Sequence, residues 1–148
     1  MKFTVIGLPV SQGSKRHVGR GIMVESSKNL RPWRDSVTAE ARIARDGQMD
    51  GALLVACDFY LPRPKGHYGT GRNQGVLKPT APRHPAKKPD IDKLARAILD
   101  ALSAAGVYGD DAQVVRLEAT KHYVTEHEAD PLDVPGVIVT VSQTRSTR

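Results

Sequence analysis

The chain has 148 residues, 39% hydrophobic and 5% aromatic, enough for one modest core and little more. No apolar run approaches the roughly 20 residues needed to cross a bilayer, so a membrane role is excluded from the expectation. The net charge of +6 and a pI near 9.7 point instead to a polyanionic partner.

The N-terminal MKFTVIGLPV is too short and too β-like for a signal peptide and has no small-residue cleavage site. Within it, Phe3 to Gly7 reads as a short strand closed by Pro9. Arg16 to Val24, with Gly19-Arg20-Gly21 in the middle, reads as a hairpin or irregular loop. A helix is predicted to begin near Pro32, whose missing N–H would have no partner in a first turn. Trp33, Val37, Ala41 and Ala44 follow at helical spacing, and the helix stops before Gly47. Leu53 to Leu61 suits a buried strand, with Val55, Cys57, Phe59 and Leu61 on one face. Cys57, the lone cysteine, is a core residue on this reading, so no disulfide framework exists and a reducing, cytoplasmic location is expected.

Between Asp58 and Asp90 there is no acidic residue, while Arg63, Lys65, Arg72, Lys78, Arg83, Lys87 and Lys88 all fall there among prolines and glycines. Residues 62–88 are therefore predicted to be a long basic loop, mobile until a phosphate backbone orders it. A solubilising insertion with no partner is the alternative, though solvation alone would not require charge of one sign.

The best-defined element is a helix from about Lys93 to Ala105, where Leu94, Ala95, Ile98 and Leu102 share a face and Gly106 supplies the stop. Gly109-Asp110-Asp111 reads as a turn. Val115, Leu117 and Ala119 then alternate with Arg116, Glu118 and Thr120, the pattern of a strand with one wet face. Asp130 to Gly136 is a turn-rich connection, Val137 to Val141 a final strand, and the terminal SQTRSTR a frayed tail. There is no internal repeat. The sum is a single α/β domain, a mixed sheet packed with two main helices.

The stretch KKPDIDKLARAILDAL, residues 87–102, places two aspartates before the helix. Asp92 qualifies as the helix cap, which leaves Asp90 without a purpose. After Pro89 the chain is expected to be extended, so that Asp90 and Asp92 face out together, about 6.6 Å apart at Cα, with Ile91 in the core. Two carboxylates held that close call for a hard divalent cation between them. A calcium-binding EF-hand loop is excluded, because its next ligand position holds Leu94 and its required glycine is Ala95. Asp110 and Asp111 offer a third carboxylate if the strand from Val114 returns along the helix; an ordinary turn is the other reading of that pair.

KPDIDKLARAILDAL followed by GVYGDDAQVV resembles the RusA family of Holliday junction resolvases, closely over Lys88 to about Lys121. LPVSQGSKR is similar to that family's Pro- and Ser-rich loop before its first helix. The resemblance implies a small α/β homodimer that cleaves branched DNA, four-way junctions above all, using Mg²⁺ with Mn²⁺ as a substitute. It implies Asp90, Asp92 and Asp111 as metal ligands, with Asp110 a neighbouring candidate. The family's lysine in the first turn aligns with Arg96, which keeps the charge and grips phosphate with two N–H groups. Lys93 stands where the family often has asparagine. Lys15, Arg16, Lys87 and Lys88, together with Lys93 and Arg96, are the expected DNA-binding set.

Two other functions compete: a non-catalytic basic DNA-binding protein, and a metal-dependent nuclease for flaps or other branched DNA. The plain alternative for Arg96 is an i,i+4 pair with Asp92 or Asp100. His17, His67, His84, His122 and His127 show no ligand-like spacing and are assigned to surface or loop roles. Tyr108 is assigned to packing rather than to base stacking.

Overall fold

Alternation along Leu53–Leu61 decides where the core lies. In the computed structural model, which describes residues 1–13, 15–17, 23–25, 28–124 and 132–144, this segment is a strand that buries Leu53, Val55, Cys57 and Phe59 beneath two helices. The elements in chain order are β1 (Lys2–Ile6), β2 (Lys15–His17), β3 (Met23–Glu25), α1 (Leu30–Ala44), β4 (Leu53–Leu61), α2 (Ile91–Ala104), β5 (Val114–Tyr123) and β6 (Gly136–Gln143). The main sheet has the order β1-β6-β4-β5. Its first two pairings are antiparallel and β4 pairs with β5 in parallel, so the sheet is mixed and the fold is α/β.

Parallel neighbours need a crossover, and residues 62–113 provide it. β4 and β5 run together from Leu53↔Val114 to Leu61↔Tyr123. α2 starts near the Leu61 end, where Lys121 Nζ donates to the carbonyls of Lys87 (2.7 Å) and Pro89 (2.9 Å). It finishes near the Leu53 end, where Met49 N donates to Val107 O (2.8 Å) just before β4 begins. Trp33, Val37 and Ala41 of α1 and Leu94, Ile98 and Leu102 of α2 fill the core against the sheet. Tyr108 is buried with them and donates to Leu99 O (2.8 Å), which is the packing role expected of it. Among the described residues, the opposite face of the sheet carries a small cluster of Tyr60, Leu132 and Ile138.

β2 and β3 form the expected antiparallel hairpin; Gly19-Arg20-Gly21 at its turn lies outside the described residues. β6 runs two residues past the predicted end, so Ser142 and Gln143 belong to the sheet rather than to a frayed tail. Gln143 Nε2 and Thr144 N tie this end to the carbonyls of Asp50 and Ala52, and residues 145–148 lie outside the described residues. In the predicted connection from Asp130, the described part begins at Leu132, which is buried. β5 departs from its one-wet-face pattern. It is an edge strand only partly roofed by α2, and Val115 (65%) and Leu117 (45%) are exposed on the helix side.

The basic loop is folded, not a mobile strap. It contains 3-10 turns at Lys65–His67 and Gly71–Asn73 and isolated bridges Tyr68↔Leu77 and Gly69↔Gln74. Arg63 pins it from inside: its guanidinium lies 4.5 Å from the Tyr123 ring centre, and Nη1 donates to Pro82 O (2.7 Å). His67 is buried edge-on to Tyr123, so it is a packing residue and not a surface one. Burial and the nearby charges of Arg63, Lys87 and Lys78 hold its pKa below the usual imidazole range.

Candidate functional site

Pro89 leaves Asp90 extended (φ −70°, ψ 137°), which is N-cap geometry, so α2 begins at Ile91, two residues before the prediction. The strand-end picture fails for that reason. Ile91 occupies the first helical position and is 38% exposed instead of pointing into the core. Asp92 sits within the first turn and is not the cap. Asp90 holds the cap position, yet its side chain makes no capping hydrogen bond; it pairs with Lys93 Nζ at 3.4 Å. Both carboxylates are exposed at the positive end of the helix and neither is committed to capping it.

Arg96 lies one turn beyond Asp92 and is exposed. Among the described residues it forms no ion pair, so the i,i+4 pairing with Asp92 or Asp100 does not occur. Lys93 is half-buried, and Lys87 and Lys88 are exposed immediately before Pro89. Lys15 and Arg16 are placed by backbone only, on β2; that strand follows Gly13, whose backbone comes close to Lys93 and Arg96. The structure thus gathers Asp90, Asp92, Lys93, Arg96, Lys87 and Lys88 at one end of α2, with β2 beginning two residues after Gly13.

Asp111 is at the other end. The helical carboxylate that influences it is Asp100, about 12 Å along α2 from Asp92 at about 1.5 Å per residue, and not Asp92 itself. Among the described residues no three His, Cys, Asp or Glu side chains gather as a metal site. The acidic turn itself divides its labour. Asp110 Oδ1 accepts from Ala112 N (2.9 Å), while Gln113 Oε1 accepts from Gly109 N (2.9 Å) and Asp110 N (3.2 Å). This is a capping box, and Gln113 Nε2 anchors it to the carbonyls of Met49 and Gly51. The Ala112 N–H lowers the pKa of Asp110; the adjacent Asp110 carboxyl raises that of Asp111, which has no capping duty.

Sequence reasoning missed the residue that fixes the N-terminal loop over α2. Gln12 is buried, takes the Lys93 carbonyl through its backbone N–H (2.9 Å), donates through Nε2 to Asp100, and accepts from Arg34 Nη1 (2.9 Å). Its three partners are 22 to 88 positions away, and no local pattern signals such a contact.

Two aspartates beside four cations suit a hard divalent ion and a phosphodiester, since Mg²⁺ is commonly held by one or two carboxylates together with substrate phosphate. Comparison with known proteins agrees with the phosphodiester part of that chemistry. The family profile described as "Endodeoxyribonuclease RusA" matches residues 7–140. A protein of Bacillus subtilis (strain 168), "Uncharacterized protein YqaN", is 31% identical over 136 residues, covering 85% of this chain and 89% of its own. Among the described residues no helix is long and apolar enough to cross a membrane.

Proposed function

The chain belongs to the RusA family of endodeoxyribonucleases, and from that membership we propose that it resolves four-way (Holliday) junctions as an Mg²⁺-dependent homodimer that makes paired, symmetric nicks. Mn²⁺ substitutes for Mg²⁺ on this reading, and the enzyme works in the cytoplasm. The supporting observation is the pair of exposed carboxylates at the start of α2, Asp90 and Asp92, neither of them spent on capping the helix, with Asp90 in an exposed pair with Lys93.

When bound there, the divalent ion supplies an activated water and offsets charge on the phosphate oxygens. The chain's own residues do the rest. Asp90 and Asp92 present carboxylate oxygens to it. Arg96, in no ion pair among the described residues and one turn along, puts a guanidinium where a scissile phosphate would approach, with Lys93 adding a second charge. Lys15, Arg16, Lys87 and Lys88 hold the DNA arms by phosphate contacts that carry little sequence information.

Asp111 joins this site only through a second subunit. β5 is an open edge, and its sequence is self-complementary about Leu117: antiparallel pairing of two copies sets Arg116 against Glu118 of the partner subunit. The same register sets Val114 of the partner subunit opposite Thr120, and so brings the turn that carries Asp111 toward the end where α2 begins. It also covers Val115 and Leu117. Two sites related by a two-fold axis then account for symmetric nicks.

One gel tests the proposal: a synthetic four-way junction, with and without Mg²⁺, beside linear duplex and flap controls. Paired nicks on the junction in Mg²⁺ alone are expected. Equal cleavage of the duplex or preference for the flap overturns junction resolution, and junction binding with no cleavage in either metal reduces the protein to a DNA-binding one.

A further inference from the structure

Beside Asp90 lies a groove of about 370 Å³ whose walls are mostly apolar, with Ser11 and Asn29 among them. Leu8, Pro9, Leu61, Pro62, Pro85 and Tyr123 form most of it, brought together from the loop after β1, the end of β4, the basic loop and the end of β5. No acidic residue lines it, and Lys87, Lys88 and Pro89 form the side next to Asp90. The walls are held in place. Pro9, Leu61, Pro85 and Tyr123 are buried, and the Tyr123 ring is clamped by Arg63 and His67. An apolar slot of this size with two lysines on its rim is an odd feature on a protein of net charge +6, whose partner is a polyanion.

We propose that this groove receives one unstacked nucleobase next to the scissile phosphate, while Lys87 and Lys88 hold the phosphates on either side of it. The inference rests on the junction-cleavage reading and adds to it a base-binding subsite. The chemistry of the walls selects the occupant. A base carries an apolar face that proline rings and aliphatic side chains can cover, and it arrives tethered to the anionic backbone that the lysines attract. The groove adjoins Asp90 through Pro89, so a base within it belongs to a nucleotide beside the cleaved bond. A purely apolar partner would bring nothing for the two lysines.

The test uses the full chain and junctions carrying 2-aminopurine, in turn, at each position flanking the crossover, without Mg²⁺ so that binding is read before cutting. One position should brighten several-fold on binding, as its base leaves the stack. Leu8→Glu, at a 56% exposed wall residue, should abolish that signal and weaken junction binding about tenfold, the order of one lost base contact. Ile6→Glu adds the same charge two residues away, at a 59% exposed site outside the groove, and should leave both readings near wild type. Melting temperatures confirm that both variants fold. A wild type that cuts junctions while every position stays dark overturns the base subsite and leaves resolution standing, as do equal losses in Leu8→Glu and Ile6→Glu. A wild type that neither binds nor cuts junctions removes both proposals.

Discussion

α2 has an acidic pair at each end, and the two pairs are built differently. At its start, Asp90 occupies the cap position without capping and Asp92 is exposed in the first turn. Past its end, Asp110 is fully engaged in a capping box and Asp111 beside it is not. A carboxylate tied to backbone N–H groups has its lone pairs spent on the fold. One held in place by its neighbours but bonded to none of them is available to a ligand. By this criterion Asp92 is the clearest candidate for a functional acid and Asp110 is structural; Asp90, with only an exposed pair to Lys93, sides with Asp92, and Asp111, which shares a hydrogen bond with the Asp110 carboxyl, stands between them.

The sharpest way to break that division is Asp92→Asn. Asparagine keeps the shape but is neutral and offers one oxygen, so a metal ligand is lost while the helix is not. Cleavage of a junction in Mg²⁺ should fall by at least about a hundredfold, since a bound ion is worth several kcal/mol to phosphoryl chemistry. Melting temperature without metal should hold or rise as repulsion from Asp90 eases, and junction binding without Mg²⁺ should persist. Full activity would remove the metal site.

A second experiment asks whether the two ends meet across subunits. Asp92→Asn and Asp111→Asn should each be inactive alone. Mixed and re-equilibrated, half of the dimers carry one of each, and every mixed dimer has one complete site of its two, so about a quarter of the sites should recover if the subunits share them. Those dimers should nick one strand only. No recovery would place all ligands within one chain or remove Asp111 from the set.

The sequence makes these ends unequally legible. β4 was readable to the residue because alternation and its flanking turns agree. The start of α2 lies two residues before the predicted one, because the extended geometry expected after Pro89 lasts one residue, which is all an N-cap needs. The capping box D-D-A-Q was in plain view as Asp110-x-x-Gln113, and only the resemblance preferred Asp111 to Asp110 as the third carboxylate. That α2 would hold Asp111 away from Asp92 follows from β4 and β5 being parallel, a pairing that local pattern does not contain. The same holds for Arg63, which composition counts as a phosphate ligand and which the fold spends on Tyr123, 60 positions later.

Arg63 gives a smaller test of the cationic side of the comparison. Lys87 and Lys88 are exposed beside Asp90, so replacing both by alanine should weaken binding and flatten the plot of log affinity against log salt by nearly two, at about 0.9 per phosphate contact. Arg63→Ala should lower the melting temperature and leave that slope alone. The opposite pattern would make the loop's interior, not its rim, the DNA contact.

The smallest expected effect lies in the capping box. Asp110→Asn retains an oxygen for the Ala112 N–H but loses the charge that the fold favours there, so its melting temperature at neutral pH should fall slightly. Asp110→Ala leaves that N–H without its partner and should melt a few degrees lower. The pH dependence carries the sign of the same bond. Folding depresses the pKa of Asp110 from its ordinary value near 3.8, so its contribution is present above that value and is lost as pH falls through the lower folded-state pKa. Asp111 runs the other way: its pKa is raised, so its crowding against Asp110 costs stability at neutral pH and the cost disappears on acidification. Replacing Asp111 by asparagine should therefore make the protein slightly more stable at pH 7 while abolishing cleavage. If both aspartates lowered the melting temperature equally on conversion to asparagine, the distinction between a structural and a free carboxylate in this turn would fail.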